Sequence, residues 1–159
     1  MVVIGILTIA SAIGVPNYIN WRENAQVGRV ARDLYGNLQK AKMTAVRTNQ
    51  YCTIAFNQGG YIVFVDNDRD LFLDTAEEVV SSVMFSNYGT VRFDTDHPDD
   101  GTGTGIDISG TPGTALSFAP DGLPRDNSNN LVKGFVYLTN HNGKQRNLQI
   151  SMAGGFVIR

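Results

Sequence analysis

The sequence predicts an α+β fold in which a long N-terminal α-helix packs on a C-terminal antiparallel β-sheet domain. Apolar residues recur at spacings of three and four up to about Asn49, which is typical of one helix face. Beyond Tyr51 the chain turns to short β-branched and aromatic runs separated by Gly, Asn and Asp. A chain of 159 residues is long enough for one domain and an extended helix. We therefore assign the helix to residues 1–49 and a β-rich globular head to residues 50–159.

The opening run, residues 1–15, contains no charged residue, and its only polar side chains are Thr8 and Ser11. As a helix it is about 22 Å long. Its fifteen residues are fewer than the roughly 20 that are needed to cross a bilayer. A secretory signal peptide fits poorly because no basic residue precedes the run. A buried core helix is the alternative, although the run contains both Gly5 and Gly14. We expect the run to be buried against other protein, or further residues to precede Met1.

The helical pattern continues past Pro16, which we expect to kink or loosen the helix without ending it. Gly14 makes such a bend easier. Beyond this point one stripe of the helix is apolar and charged residues cover the rest. The predicted stripe consists of Val27, Val30, Ala31, Leu34, Leu38, Ala41 and Ala45.

Charge is unevenly distributed, although the net charge is only −2 and gives no global argument for nucleic acid. Between Arg22 and Arg47 there are six basic and two acidic residues, whereas the remaining seven basic residues face thirteen acidic ones. A basic helix and an acidic head favour head-to-stem contacts between neighbouring subunits. The alternative is that both are solvated surfaces.

The head is predicted to consist of short strands closing one sheet, with a hairpin at Asn57–Gly60 and later turns at Asn140–Gly143 and Ala153–Gly155. Two long loops interrupt it, at Asp94–Gly113 and Pro120–Asn130; they form an interaction surface or are solvated. Leu148, Ile150 and Met152 are expected to share one face by alternation. The predicted strands are Tyr51–Phe56, Tyr61–Val65, Val79–Phe85, Thr90–Phe93, Ala115–Ala119, Phe135–Thr139, Arg146–Ser151 and Phe156–Arg159.

Catalytic chemistry is not expected. Cys52 is the only cysteine, which excludes an internal disulfide and a cysteine-based metal site, and its strand context predicts a buried thiol. A histidine base would have to come from His97 or His141, and both lie in predicted loops. No carboxylate pair or nucleophile–base pair stands out, so we expect neither an enzyme nor a small-molecule substrate.

An acidic turn follows the second predicted strand, and its oxygens have the spacing of a calcium loop. Counted from the first aspartate they fall at loop positions one, three, five, nine and twelve. Position six, where such loops require glycine, is Leu71, and the flanking segments look like strands. A plain acidic turn is the alternative to a Ca²⁺ site. The candidate ligands are Asp66, Asp68, Asp70, Asp74 and Glu77.

The opening sequence MVVIGILTIASAIGVPNY, followed by an amphipathic helix and a β-rich region, resembles a type IV pilin. In that family a processed N-terminus with a methylated Phe and a Glu would lie a few residues upstream. The chain is therefore expected to begin part-way into the family's motif, at an internal Met. The resemblance implies the pilin-like fold.

Within the pilin superfamily, the chain resembles the GspH/FimT branch through shorter stretches. Ala31–Tyr35, Leu38–Lys42 and Ala45-Val46 look like the stem of that branch, and Val63–Asp68 with Glu77–Val79 looks like its acidic turn. Leu116–Phe118 with Asp121-Gly122 resembles its mid-domain strand and turn. Ile150-Ser151 with Gly154–Arg159 resembles its C-terminal hairpin.

The resemblance implies a structural role: a minor pilin of a type IV pilus, at or near the tip, that helps to initiate assembly. The alternative is a GspH-like pseudopilin of type II secretion. The helix would be held in the bacterial inner membrane with the head in the periplasm, and then enter an extracellular or periplasmic filament of other pilins or pseudopilins. The residues expected in the membrane or filament core are Val2, Val3, Ile4, Ile6, Leu7, Ile9, Ile13, Val15 and Pro16.

A DNA-binding minor pilin acting in DNA uptake is an alternative from another class. Some FimT-like members bind DNA through basic residues near the C-terminal end, and here Lys144, Arg146 and Arg159 match that region. Three cations would bind phosphates weakly and in a salt-sensitive way. The turn Gly154–Phe156 lacks the extra basic residue of those members, and no aromatic platform for bases is evident.

Overall fold

The computed structural model describes residues 2–110 and 113–159, except for the side chains of Val2 and residues 4–16. One helix, α1 (Val2–Thr48), is followed by ten short strands. This arrangement confirms the predicted α+β fold class, with a long helix and antiparallel strands. No helix among the described residues combines the length and the apolar character needed to cross a membrane.

Helix α1 continues through Pro16, as predicted, and ends where the pattern predicts. Arg47 lies in its last turn, where a cation interacts favourably with the helix dipole. Thr48 donates its hydroxyl to the Thr44 carbonyl, and Asn49 then adopts a left-handed φ of 55°, which stops the helix. The predicted apolar stripe is confirmed, because each of its seven side chains is at most 1% exposed.

The first sheet has the order β3-β2-β1-β6-β7 and is antiparallel throughout. Asn57 pairs with Gly60 across the predicted hairpin turn. A short 3-10 helix at Phe85–Tyr88 replaces the end of the predicted third strand. The strands are β1 (Tyr51–Asn57), β2 (Gly60–Asp66), β3 (Val79–Met84), β6 (Ala115–Phe118) and β7 (Pro124–Arg125).

The second sheet has the order β10-β9-β8-β4, and β5 also pairs with β8. The head therefore contains two sheets where the sequence predicts one. The remaining strands are β4 (Arg92–Phe93), β5 (Ile106–Ile108), β8 (Gly134–Thr139), β9 (Gln145–Ile150) and β10 (Phe156–Ile158).

Two predicted loops contain strands, so their prediction as plain loops is wrong. β5 lies inside the loop Asp94–Gly113, and β7 lies inside Pro120–Asn130. A further correction concerns Met152, which lies in the turn after β9 and is 42% exposed. The sheet-face alternation ends at Ile150 because the turn bond from Gly154 N to the Ser151 carbonyl bends the chain there.

One hydrophobic core joins the helix stripe to both sheets. It includes Leu34 and Leu38 from α1, Ile54 from β1 and Leu148 from β9, none of which is exposed. The predicted buried thiol is confirmed, since Cys52 is fully buried in the same core. We call the part of α1 from Glu23 to Thr48 the lower helix and the part before Glu23 the upper helix. The head covers one face of the lower helix and leaves its other faces to solvent or to partners.

Candidate assembly interface

Polar contacts fix where the head begins to cover helix α1. Asn140 Nδ2 donates to Asn24 Oδ1 at 2.9 Å, and Asn142 Nδ2 donates to Glu23 Oε2 at 2.9 Å. Asn140 is 1% exposed, and its own Oδ1 accepts from the Lys144 amide. The turn between β8 and β9 therefore holds the helix at Glu23 and Asn24.

Further polar contacts hold the helix below this point. Tyr88 donates its hydroxyl to Asp33 Oδ2 at 2.6 Å, and this hydrogen bond is the main reason that the pKa of Tyr88 is raised. Lys42 Nζ donates to the Gly154 carbonyl at 2.8 Å. Gly154 has a φ of 71°, and a Cβ there would lie 2.7 Å from the Gly122 carbonyl, so this contact requires glycine. The lower helix and the head are therefore joined at both ends.

The described side chains of α1 that precede Glu23 in the sequence are exposed. Val3 is 69% exposed, Tyr18 is 62%, Ile19 is 49% and Trp21 is 66%. The Tyr18 and Trp21 rings lie 6.0 Å apart, centroid to centroid. Tyr and Trp concentrate at membrane–water interfaces because their rings are apolar with one polar group. An exposed aromatic pair therefore marks the boundary between the uncharged opening and the charged lower helix.

The predicted membrane or filament-core role of the opening residues stays a prediction. Of that set only the side chain of Val3 is described, and it is exposed. The other predicted core side chains lie outside the described residues: Val2, Ile4, Ile6, Leu7, Ile9, Ile13, Val15 and Pro16.

The acidic turn is organised around Asp66, which is 1% exposed. Its Oδ2 accepts from the Thr53 hydroxyl at 2.7 Å and from the Leu71 amide at 3.2 Å, and its Oδ1 accepts from the Arg69 amide at 2.6 Å. Burial raises the pKa of the Asp66 carboxyl, and these three hydrogen bonds oppose that rise. Asp66 thus acts as the internal anchor of the loop.

Only part of the predicted calcium set comes together. Asp66, Asp68 and Asp70 place one carboxylate oxygen each within 4.8 Å of one another. Asp74 is not part of this group, and Glu77 instead accepts from the Asn67 and Asp74 amides. Leu71, at loop position six, has a φ of 68°, a conformation that favours glycine. Calcium binding by this loop stays a prediction.

The three cations proposed for DNA do not share one surface. Arg146 pairs with the buried Leu138 and alternates with Leu148 and Ile150, which places it on the core-facing side of the second sheet. Arg159 exchanges two backbone hydrogen bonds with Asn147, which places it on the opposite face. There it lines a cleft with the carboxylates of Asp99 and Asp107. DNA binding by Lys144, Arg146 and Arg159 stays a prediction that this arrangement does not favour.

Two exposed apolar pairs were missed by the sequence patterns. Met43 and Val46 lie on the helix outside the buried stripe and are 69% and 54% exposed. Phe72 and Leu73 lie in the acidic turn and are 63% and 40% exposed. Their positions could have identified them, because each pair consists of large apolar residues where the pattern predicts solvent-facing polar ones.

The sequence matches the family described as type II transport protein GspH over residues 30–154, most of the chain. The chain belongs to the GspH family. No curated protein and no solved structure matches it. The matched region includes the lower helix and nearly the whole head, which confirms the GspH/FimT assignment made from the sequence. GspH proteins are pilin-like structural subunits, so the chain is a minor pilin or pseudopilin that assembles with other subunits of this kind.

Proposed function

We propose that this GspH protein is a minor filament subunit whose upper helix is stored in the inner membrane and then transferred into a core of like helices. The observation that carries this proposal is the division of α1 at Glu23 and Asn24. Below these residues the head buries the apolar stripe, and above them the described side chains are exposed. Exposed Tyr18, Ile19 and Trp21 favour a lipid or protein environment over water.

The mechanism is an exchange of one apolar environment for another. Each large apolar side chain gains about 1.5–3 kcal/mol on burial, in lipid or among neighbouring helices. Since the two environments are similar in polarity, the helix can move between them at small net cost. The head stays in the aqueous periplasm and its contacts select the neighbours in the filament. A position at or near the tip, where such a subunit would help to initiate assembly, is part of the proposal.

The machine is proposed to be either a type II secretion pseudopilus or a type IV pilus. The family's description as a type II transport protein favours secretion. Deleting the coding sequence in its own host tests both. Loss of exoprotein secretion with intact pili would assign the protein to secretion, and loss of pili with intact secretion would assign it to the pilus.

The membrane and filament steps are tested by replacing Ile9 with Lys in the full chain, with the exposed Ser128→Lys as the matched control. A charge at the centre of an inserted helix costs about 3 kcal/mol. We expect Ile9→Lys to lower both the membrane-bound fraction and recovery in sheared or cross-linked filaments, and Ser128→Lys to change neither. Unaltered fractionation and incorporation of Ile9→Lys would contradict the proposal.

A further inference from the structure

The face of helix α1 that points away from the head is basic. Both acidic residues of the lower helix are used by the head, since Asp33 accepts from Tyr88 and Glu23 accepts from Asn142. Among the described residues no cation of α1 forms an ion pair. Arg29, Arg32 and Arg47 are exposed and form no ion pair within the described part of the chain, and Arg47 lines a cleft with Glu78 of the head.

An apolar depression lies near the C-terminal end of α1, next to the head. Met43 and Val46 line it together with Gln39, Lys42 and Arg47, and it has a volume of about 290 Å³. We call these five residues the stem patch. The patch combines exposed apolar surface with two cations, a composition typical of a protein contact rather than of a solvated helix face.

The acidic turn of the head has the complementary composition. Phe72 and Leu73 project beside Asp70 and Asp74, and the loop is held in shape by hydrogen bonds from the Leu71 amide to Asp66 and from the Phe72 amide to Asp70. Its one cation, Arg69, lies over the Tyr51 ring, with its guanidinium carbon 4.3 Å from the ring centroid. We call Asp70, Phe72, Leu73 and Asp74 the acidic knob.

We propose that the acidic knob of one copy docks on the stem patch of a second copy. Phe72 and Leu73 would cover Met43 and Val46, while Asp70 and Asp74 would face Arg47. Because knob and patch are different surfaces, the contact is heterologous and brings two different positions of neighbouring copies together. The biological meaning of this contact rests on the proposed filament role, but the contact itself can be measured independently.

Two variants, each with one added cysteine, test the contact in the full chain, reconstituted in membranes. Met43→Cys and Leu73→Cys, mixed and treated with a short bis-maleimide, are expected to give a mixed dimer. Either variant alone should stay monomeric, because a heterologous contact brings two different positions together. The native Cys52 should not react with the maleimide, because it is fully buried. Met43→Cys mixed with the exposed Ser128→Cys is the matched control and should also stay monomeric.

Charge reversal tests the electrostatic contribution to the proposed contact. Arg47→Glu is expected to lower the mixed-dimer yield about fivefold, since it replaces an exposed attraction by a repulsion. Asp74→Arg on the other copy should restore the yield. High salt should weaken the unaltered pair. Both altered positions are exposed, so the fold should tolerate them.

Absence of the mixed dimer, or a yield equal to that of the Ser128→Cys control, would overturn the proposed contact. This result would leave the filament role standing if the same protein still enters filaments. Conversely, a mixed dimer in membranes together with exclusion from every filament would support the contact and reject the proposed function. Failure of Asp74→Arg to restore the Arg47→Glu yield would reject the proposed pairing of charges.

Discussion

Two halves of one helix differ in what covers them. Below Asn24, α1 carries a regular apolar stripe whose residues are at most 1% exposed under the head. Above it, the described residues Val3, Tyr18, Ile19 and Trp21 are 49–69% exposed. The lower half is thus covered by its own chain, whereas the described side chains of the upper half have no such cover. Under the proposed function, a single helix serves both as part of the core of one domain and as the segment that joins neighbouring subunits.

The largest expected effect contrasts a covered with an uncovered thiol. Burial raises the pKa of Cys52 from 9.0 to about 12. At pH 8 its thiolate fraction should be about a thousandfold lower than that of an ordinary cysteine, and only the thiolate reacts. Thiol labelling should therefore modify Met43→Cys rapidly and leave Cys52 unmodified in the native state. Equal labelling rates of the two thiols would contradict the burial of Cys52.

The raised pKa of Cys52 also predicts a loss of stability at alkaline pH. The pKa of Cys52 is higher in the folded state than in the unfolded state, so its contribution to stability is fully present below pH 9. That contribution is lost as the pH rises from 9 towards 12, because only the unfolded chain ionises readily. Cys52→Ala should flatten this part of the stability profile, measured by urea unfolding at a series of pH values.

The next effect contrasts a core residue of the lower half with an exposed one of the upper half. Leu34→Ala should lower the free energy of unfolding by about 3 kcal/mol, because it removes a fully buried side chain and leaves a cavity. Ile19→Ala, the matched control, should change it by less than about 0.5 kcal/mol. Urea unfolding of the full chain in detergent, followed by circular dichroism, measures both. A large effect of Ile19→Ala would mean that the head also depends on the upper half.

A smaller effect repeats the contrast between covered and uncovered groups inside the acidic turn. Asp66 is 1% exposed and accepts three hydrogen bonds, whereas Asp68 is exposed. Asp66→Asn should cost about 1–3 kcal/mol, since an amide nitrogen would face a backbone N–H. Asp68→Asn should be nearly neutral. Urea unfolding of both variants at the same pH decides, and equal losses would show that Asp66 is not the anchor.

The raised pKa of Asp66 also predicts how the stability effect of Asp66→Asn changes with pH. Burial raises the pKa of its carboxyl above 3.8 in the folded state, so the native protein holds this proton more tightly than the unfolded chain. Its contribution is full below pH 3.8 and decreases as the pH rises through the raised pKa. Asp66→Asn should remove this decrease, and the stability difference from the unaltered protein should therefore depend on pH.

Periodicity predicted the covered half of the molecule well. The spacing of Val27 to Ala45 identifies every residue of the helix stripe, because one face of α1 is buried along its whole lower length. The hairpin of β1 and β2 was equally visible, since Asn57–Gly60 has ordinary turn chemistry. These features depend on neighbours in sequence, which a pattern can reveal.

The missed features depend on neighbours in space. β5 is only three residues long and forms by pairing with β8, and β7 is two residues that pair with β6. Neither run is long enough to show a period. Likewise, spacing alone placed Asp74 and Glu77 among the calcium ligands, whereas the fold uses Glu77 to cap backbone amides of the same turn. The face that each C-terminal arginine occupies follows from strand register, which the sequence does not display.

The smallest effect concerns the upper boundary of the covered region. Trp21 is the only tryptophan and is 66% exposed, so its fluorescence reports on this boundary alone. In lipid vesicles we expect its emission to shift to shorter wavelength, because an indole at the membrane interface leaves bulk water. Lipids brominated near the headgroup should quench it more than lipids brominated at the chain ends. Tyr18→Ser should reduce the shift without altering the unfolding of the head. Emission and quenching unchanged by vesicles would mean that the exposed aromatic pair is not seated in lipid, and that the upper half finds its cover only among other subunits.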